Sequence, residues 1–303
     1  MTLSLEAAIA RVPQWAGARD LKVTPLSGGI TNSNYRIDVD GASFVLRLPG
    51  ADTELLGIDR EHEHAANLAA GKLGLGPEVV YFIRPEGYLV TRFLPGRPIP
   101  PEELRRPENL RRVAEAVRRI HALPPLPGRF DVVQVIRDYV ATASRFGVAL
   151  PDNYPWLAAR LDETEAALHA RPLQACPCHN DLLNLNFLLD EQLWILDWEY
   201  AGMGDPFFDL ANFSDHHDLT EAQDRWLLEC YFGQPAAPGR WAHLKIMKML
   251  SDLREATWAL VQIGISKLDF DFREYAEKFF GRVNNALQNP QWNDWLKEVH
   301  QNV

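Results

Sequence analysis

The residues with the most chemical content lie in one run, CHNDLLNLNFLLDEQLWILDWEYAGMGDPFFDL, which begins at Cys178. It holds His179, Asp181 and Asn186 on one side of a short apolar hairpin, and Asp197 and Glu199 on the other. The runs NFLL (Asn186 to Leu189) and LWIL (Leu193 to Leu196) read as strands joined by a turn at Asp190-Glu191-Gln192. Folded back, such a hairpin brings Asn186 and Asp197 together. Both offer hard oxygen ligands of the kind Mg²⁺ uses when it also holds nucleotide phosphates. Asp181, in a loop five residues before Asn186, can take or orient the proton of an acceptor hydroxyl. Phosphoryl transfer asks little else of a protein than positioning, charge neutralisation and one base. Asp and Asn also favour ordinary turns, but two such clusters flanking one hairpin form a more specific pattern than either alone.

His179 is a candidate base in its own right, or a residue that holds the loop by hydrogen bonds; the scaffold role is the simpler. Asp209, in DPFFDLANF, either caps a helix beginning at Leu210 or braces the loop.

The elements that must position these groups divide the chain at Pro95-Gly96-Arg97-Pro98, giving an N-terminal part over 1–95 and a C-terminal part over 96–303. The first part is strand-rich. Asn34 to Val39, an Asp40-Gly41 turn and Ser43 to Leu48 form a hairpin. A helix from Asp59 to Lys72 follows, with Ala65, Leu68 and Ala69 as its apolar stripe and Gly71 and Gly74 ending it. EVVYFIR and GYLVTRFL make two more strands around Pro85-Glu86-Gly87. The second part is helical apart from the hairpin. From Glu102 to His121, Leu110, Val113, Val117 and Ile120 recur at helical spacing and leave the arginines on a solvated face.

Three smaller features have both a functional and an ordinary reading. Ser27-Gly28-Gly29-Ile30-Thr31-Asn32 lies between two strands, where paired glycines let backbone approach a phosphate but also make simple turns. Arg47 places a cation on a strand. It can reach phosphates if a helix carboxylate holds it, Glu63 first and Glu61 second, or it forms a minor surface ion pair. Late in the chain Trp258, Phe270, Phe272 and Tyr275 accompany Glu255; aromatic faces with a carboxylate suit an organic ammonium, and equally suit a core.

Composition sets outer limits. With 303 residues, 47% hydrophobic and 24% charged, the chain has the makings of two substantial cores. A net charge of −10 argues against nucleic acid and anionic membranes as partners and leaves room for a cationic small molecule. The three cysteines, Cys176, Cys178 and Cys230, lack the CxxC spacing of zinc and redox sites and read as reduced thiols. The N-terminus reads as a short amphipathic helix rather than a signal peptide, and no apolar run is long enough to span a membrane, so a cytoplasmic protein is expected.

Taken together, LSGGITNSNY, VLRLPG, the helix with Glu63, GYLVTRFLPG, CHNDLLNLN, ILDWEY and WALVQIGISKLDF resemble the choline/ethanolamine kinase family, closest to its bacterial LicA-type branch. That family lies within the aminoglycoside phosphotransferase and protein-kinase-like superfamily. The resemblance implies an α+β, two-lobed protein-kinase-like fold, with a β-rich N-lobe, a mainly helical C-lobe and ATP in the cleft. It puts Asp181 in the catalytic-base position and Asn186 and Asp197 in the magnesium positions, with Glu199 as a second-metal or substrate-side group. Ser27, Gly28, Gly29, Thr31 and Asn32 would cover phosphates with Arg47 and Glu63, and backbone from Arg92 to Leu94 would meet the adenine. Trp258 and Tyr275 match the choline cage, while Glu255 stands where eukaryotic relatives have a further tryptophan. HND and DWE replace the HRD and DFG strings of protein kinases, so a protein substrate is not expected. The implied reaction is phosphorylation of choline, with ethanolamine, an aminoglycoside or thiamine as alternative acceptors and a catalytically idle cation sensor as a further one.

Overall fold

The computed structural model describes residues 3–26, 32–170 and 174–299. They divide into two compact units, residues 1–99 with 185–199 and residues 100–184 with 200–303.

The first unit is built on a five-stranded antiparallel sheet in the order β1-β2-β3-β5-β4. Its strands are β1 (Leu21–Leu26), β2 (Asn32–Val39), β3 (Ala42–Pro49), β4 (Val79–Ile83) and β5 (Tyr88–Arg92). Alternation along β3 turns Phe44 and Leu46 into a core shared with Ile37, Val90 and Tyr88, which α1 (Leu5–Ala10) and Trp15 close. Val45 and Arg47 therefore point to the opposite face.

Helix α2 (Arg60–Leu73) starts at Asp59, whose carboxylate accepts the Glu61 and His62 N–H groups. It buries Glu63, Ala66, Asn67 and Ala70, not the expected Ala65, Leu68 and Ala69. Leu68 is solvent-exposed. The stripe is displaced by two residues because two arginines compensate a buried glutamate, which a hydrophobicity pattern cannot register. The helix also runs through Gly71 and ends at Gly74, whose φ of 69° supplies the left-handed cap.

The hairpin of β8 (Phe187–Leu189) and β9 (Leu193–Ile195) belongs to this first unit, although it lies in the second part as divided along the sequence. The cause is pairing: β6 (Arg97–Pro98) joins β8, and Ile195 donates its N–H to the Leu75 carbonyl at 2.7 Å.

The second unit is mainly helical. Its elements are α3 (Pro101–Leu104), α4 (Pro107–His121), α5 (Val132–Arg145), α6 (Tyr154–His169), β7 (Cys176–Cys178), β10 (Gly202–Gly204), α7 (Pro206–His216), α8 (Glu221–Phe232), α9 (Pro238–Ile265), α10 (Phe272–Leu287) and α11 (Trp292–Glu298). The single helix expected from Glu102 is broken, because Arg106 precedes Pro107 and is forced into extended backbone. Leu110, Val113, Val117 and Ile120 are fully buried, as their spacing predicts. Helix α9 is the hub: it is buried over most of its length, polar residues such as Arg254 and Glu255 included, and packs against α5, α7, α10 and α11. Among the described residues no helix is long and apolar enough to cross a membrane.

Candidate active site

In the first unit, three elements deliver charge to one place. Arg47 comes from β3, Glu63 from the first turn of α2, and Asp197 from the residues after β9. Arg47 Nη1 lies 2.7 Å from Glu63 Oε1 and 2.7 Å from Asp197 Oδ1. Glu63 is only 2% exposed, so its charge needs a partner on each oxygen. The second is Arg60, 2.6 Å from Oε2. Arg60 also lies 3.0 Å from Glu199 Oε2, which accepts the Asn32 side-chain amide at 2.9 Å.

Burial works against the charge on Arg47, but Asp197, Glu63 and Glu199 outweigh it and hold its pKa above the ordinary value. Within this network three carboxylates face two guanidinium groups, an excess of one negative charge. Glu61, the second candidate partner for Arg47, instead makes a surface pair with Arg84.

The hairpin does bring its two outer ends together. Leu196 donates its N–H to the Asn186 carbonyl at 2.8 Å, and Asp197 follows in a left-handed conformation at φ 64°. A non-glycine residue there costs roughly 1 kcal/mol or more. The ion pair to Arg47 is one constraint that holds it. Asn186 and Asp197 thus supply an amide and a carboxylate from adjoining ends of one hairpin, a donor set that suits Mg²⁺.

Ser27, Gly28, Gly29 and Thr31 lie outside the described residues; Asn32 is buried at the start of β2. Arg92 donates its backbone N–H to the Glu78 carbonyl at 2.8 Å. Leu94 is half-buried beyond the end of β5.

In the second unit, β7 runs into the loop carrying His179, Asn180 and Asp181. Asp209 anchors this loop: Oδ2 accepts the His179 N–H at 2.9 Å and Oδ1 the Asn180 N–H at 2.6 Å. Its role is therefore the brace, while Asp205 caps α7. Burial alone would raise the Asp209 pKa; the bond and charge of His121 and the His179 N–H outweigh it and hold it below the usual range. Asn180 has φ 66°, and its side chain donates to the Tyr200 carbonyl at 3.0 Å. Gly204 on β10 permits this packing, since a Cβ there would meet the Phe130 carbonyl at 3.2 Å and Asn180 Oδ1 at 3.5 Å. His179 is fully buried and its Nδ1 accepts the Asp181 N–H at 3.2 Å, consistent with a scaffold role.

Asp181 Oδ1 lies 3.2 Å from Nη1 of Arg254, a buried residue of α9 whose guanidinium stacks over the Tyr200 ring at 4.5 Å. The same Nη1 is 2.5 Å from Glu255 Oε1. Tyr275 donates its hydroxyl to Glu255 Oε2 at 2.9 Å, and His216 Nε2 lies 3.6 Å from Oε1. Burial opposes the Glu255 charge, yet Arg254, His216 and Tyr275 bring its pKa down to about 2. Glu255 is thus a carboxylate paired with a guanidinium and bonded to the Tyr275 hydroxyl.

Trp258 and Tyr275 do come together, with ring centroids 6.1 Å apart and planes at 65°, and Phe272 meets Trp258 at 5.8 Å. Phe270 packs on Phe272 but remains largely exposed.

Arg60, Arg254 and His216 were missed in the sequence. Only Arg60 left a signal there, its i,i+3 spacing to Glu63.

The family model for the phosphotransferase enzyme family (APH) matches residues 22–244. Protein LicA of Haemophilus influenzae is 30% identical over 215 residues, covering 68% of this chain and 62% of that protein. The chain thus spans about three-fifths of that relative's length. Ethanolamine kinase 2 of Mus musculus is 26% identical over 301 residues, covering 87% of this chain and 75% of that one. Among solved structures, a choline/ethanolamine kinase family protein from Mesorhizobium loti is 34% identical, covers 97% of both chains and superposes with a TM-score of 0.84.

Proposed function

The chain belongs to the phosphotransferase enzyme family, and from that premise we propose that it is a kinase that moves the γ-phosphoryl group of ATP to the hydroxyl of choline, giving phosphocholine and ADP. The observation that carries this reading is the Arg47 guanidinium shared between Glu63 and Asp197, 2.7 Å from each. It is a held cation beside a metal-type carboxylate, as phosphoryl transfer requires.

In this reading Asn186 and Asp197 hold Mg²⁺, which when bound neutralises charge on the nucleotide phosphates. Arg47, fixed by Glu63, adds a second positive charge toward the phosphates. Glu199 keeps Arg60 and Asn32 in place beside them. Asp181 accepts the acceptor's hydroxyl proton and orients its oxygen for in-line attack. His179 and Asp209 fix the loop from which it acts. The faces of Trp258 and Tyr275 receive the trimethylammonium group, which is held by cation–π attraction.

Ethanolamine is the second reading. It draws support from the Tyr275 hydroxyl and Glu255 carboxylate, bonded at 2.9 Å, because a primary ammonium has N–H donors that such a polar edge can receive. Aminoglycosides and thiamine would share the chemistry but need a larger acceptor space.

Acceptor-dependent ADP release tests the proposal. Wild-type protein with Mg²⁺-ATP should turn over choline, and Asp181→Asn should reduce kcat roughly 100-fold or more. Unchanged turnover in the variant would remove Asp181 from the mechanism. ATP turnover absent with every amino alcohol would point to the idle, cation-binding reading.

A further inference from the structure

One cluster in the second unit has donor chemistry unlike the rest. Cys176 and Cys178 are two apart on β7, so both thiols leave the strand on the same face, with Sγ atoms 3.9 Å apart. His121, the last residue of α4, comes up beside them. One ring nitrogen and the two sulfurs all lie within 4.8 Å of one another. Among the described residues this is the one such grouping of three His, Cys, Asp or Glu side chains.

We propose that His121, Cys176 and Cys178 form a binding site for a thiophilic divalent cation, Zn²⁺. Tetrahedral zinc bonds sulfur at about 2.3 Å, which sets two thiolates about 3.8 Å apart, close to the spacing already present. An imidazole and two thiolates make a soft donor set with one position left to solvent.

The surroundings of His121 fit the role. Its Nε2 lies 3.1 Å from Asp209 Oδ2, and its Nδ1 lies 2.7 Å from the Tyr231 hydroxyl. Asp209 can only accept, so Nε2 carries the hydrogen. The Tyr231 hydroxyl is then the donor to Nδ1. With Nε2 committed to Asp209, Nδ1 is the nitrogen whose lone pair a cation would take, in exchange for the bond to the Tyr231 hydroxyl. The His121–Asp209 bond is the carboxylate–histidine support that metal-bound imidazoles commonly have.

Loading exchanges protons for the cation: Zn²⁺ enters, both S–H bonds break, two Zn–S bonds form and two protons leave to solvent. Cys176 is partly exposed and gives the route in, whereas Cys178 is fully buried. Because Asp209 also holds the N–H groups of His179 and Asn180, a single residue links His121 to the Asp181 loop. The inference does not depend on which acceptor the enzyme uses.

The test uses the full chain, reduced and stripped with a chelator, then titrated with Zn²⁺ against a chromogenic chelator. One ion per chain should bind with sub-micromolar affinity, and Cys176→Ser should weaken binding roughly 100-fold or more while the circular dichroism stays unchanged. A second readout, alkylation followed by mass spectrometry, needs no variant. Zn²⁺ should protect Cys176 and leave Cys230 labelled at its original rate. Equal affinity in wild type and Cys176→Ser, Zn²⁺ that fails to protect Cys176, or no binding in the micromolar range would each overturn the proposal.

Discussion

Arg254 Nη1 lies 3.2 Å from Asp181 Oδ1 and 2.5 Å from Glu255 Oε1, so one buried guanidinium serves two carboxylates. Without it, two like charges would face each other out of water. Arg254→Met should therefore lower stability by about 3–5 kcal/mol, and kcat should fall more than the KM for either substrate changes. Chemical denaturation and steady-state kinetics measure these effects. A double variant with Glu255→Met should lose less stability than the two single variants added together, since the pair leaves together.

The same network gives the protein an acid-sensitive element. The pKa of Glu255 falls from an ordinary 4.5 to about 2 in the folded chain. A depressed carboxylate contributes stability that is complete above its unfolded pKa and is lost as pH falls through its folded one. Glu255→Gln should thus lower Tm at neutral pH, and its gap from wild type should narrow between pH 4.5 and about 2. Melting curves across that range check it; a gap that widens on acidification would contradict the assignment.

Arg47 makes a separate prediction in the first unit. Arg47→Ala removes the cation shared by Glu63 and Asp197 and should raise the KM for ATP about 10- to 100-fold, the value of one charge-assisted contact. Acceptor KM should change much less. Initial rates at varied ATP decide it.

Some of this was legible in the sequence and some was not, for physical reasons. The hairpin of β8 and β9 follows from two apolar runs around Asp190-Glu191-Gln192, and its polar ends from residue type alone. Arg47 and Glu63 could be paired because a strand cation and a helix carboxylate were both in reach. The phase of α2 was not legible, because Glu63 occupies a buried position that hydrophobicity assigns to its neighbours. Arg254 in LREA left no signal in the sequence, and only packing around α9 reveals it as fully enclosed. His121 is far from Cys176 in the chain, so the cluster they form depends on where α4 ends against β7. The break at Pro107 was available, since the residue before a proline is driven out of helix.

Trp258 discriminates between methylated and primary ammonium groups. Trp258→Ala should raise the KM for choline roughly 2- to 30-fold, the range of one cation–π contact, and change that for ethanolamine less. A uniform rise for both would indicate lost packing against Phe272 and Tyr275 instead.

The most direct measurement is ADP release with Mg²⁺-ATP, comparing choline, ethanolamine and a mixed aminoglycoside panel on the same preparation. The account predicts kcat/KM highest for choline. Turnover confined to aminoglycosides, or ethanolamine well above choline, would contradict the choline assignment while leaving the phosphotransfer residues in place.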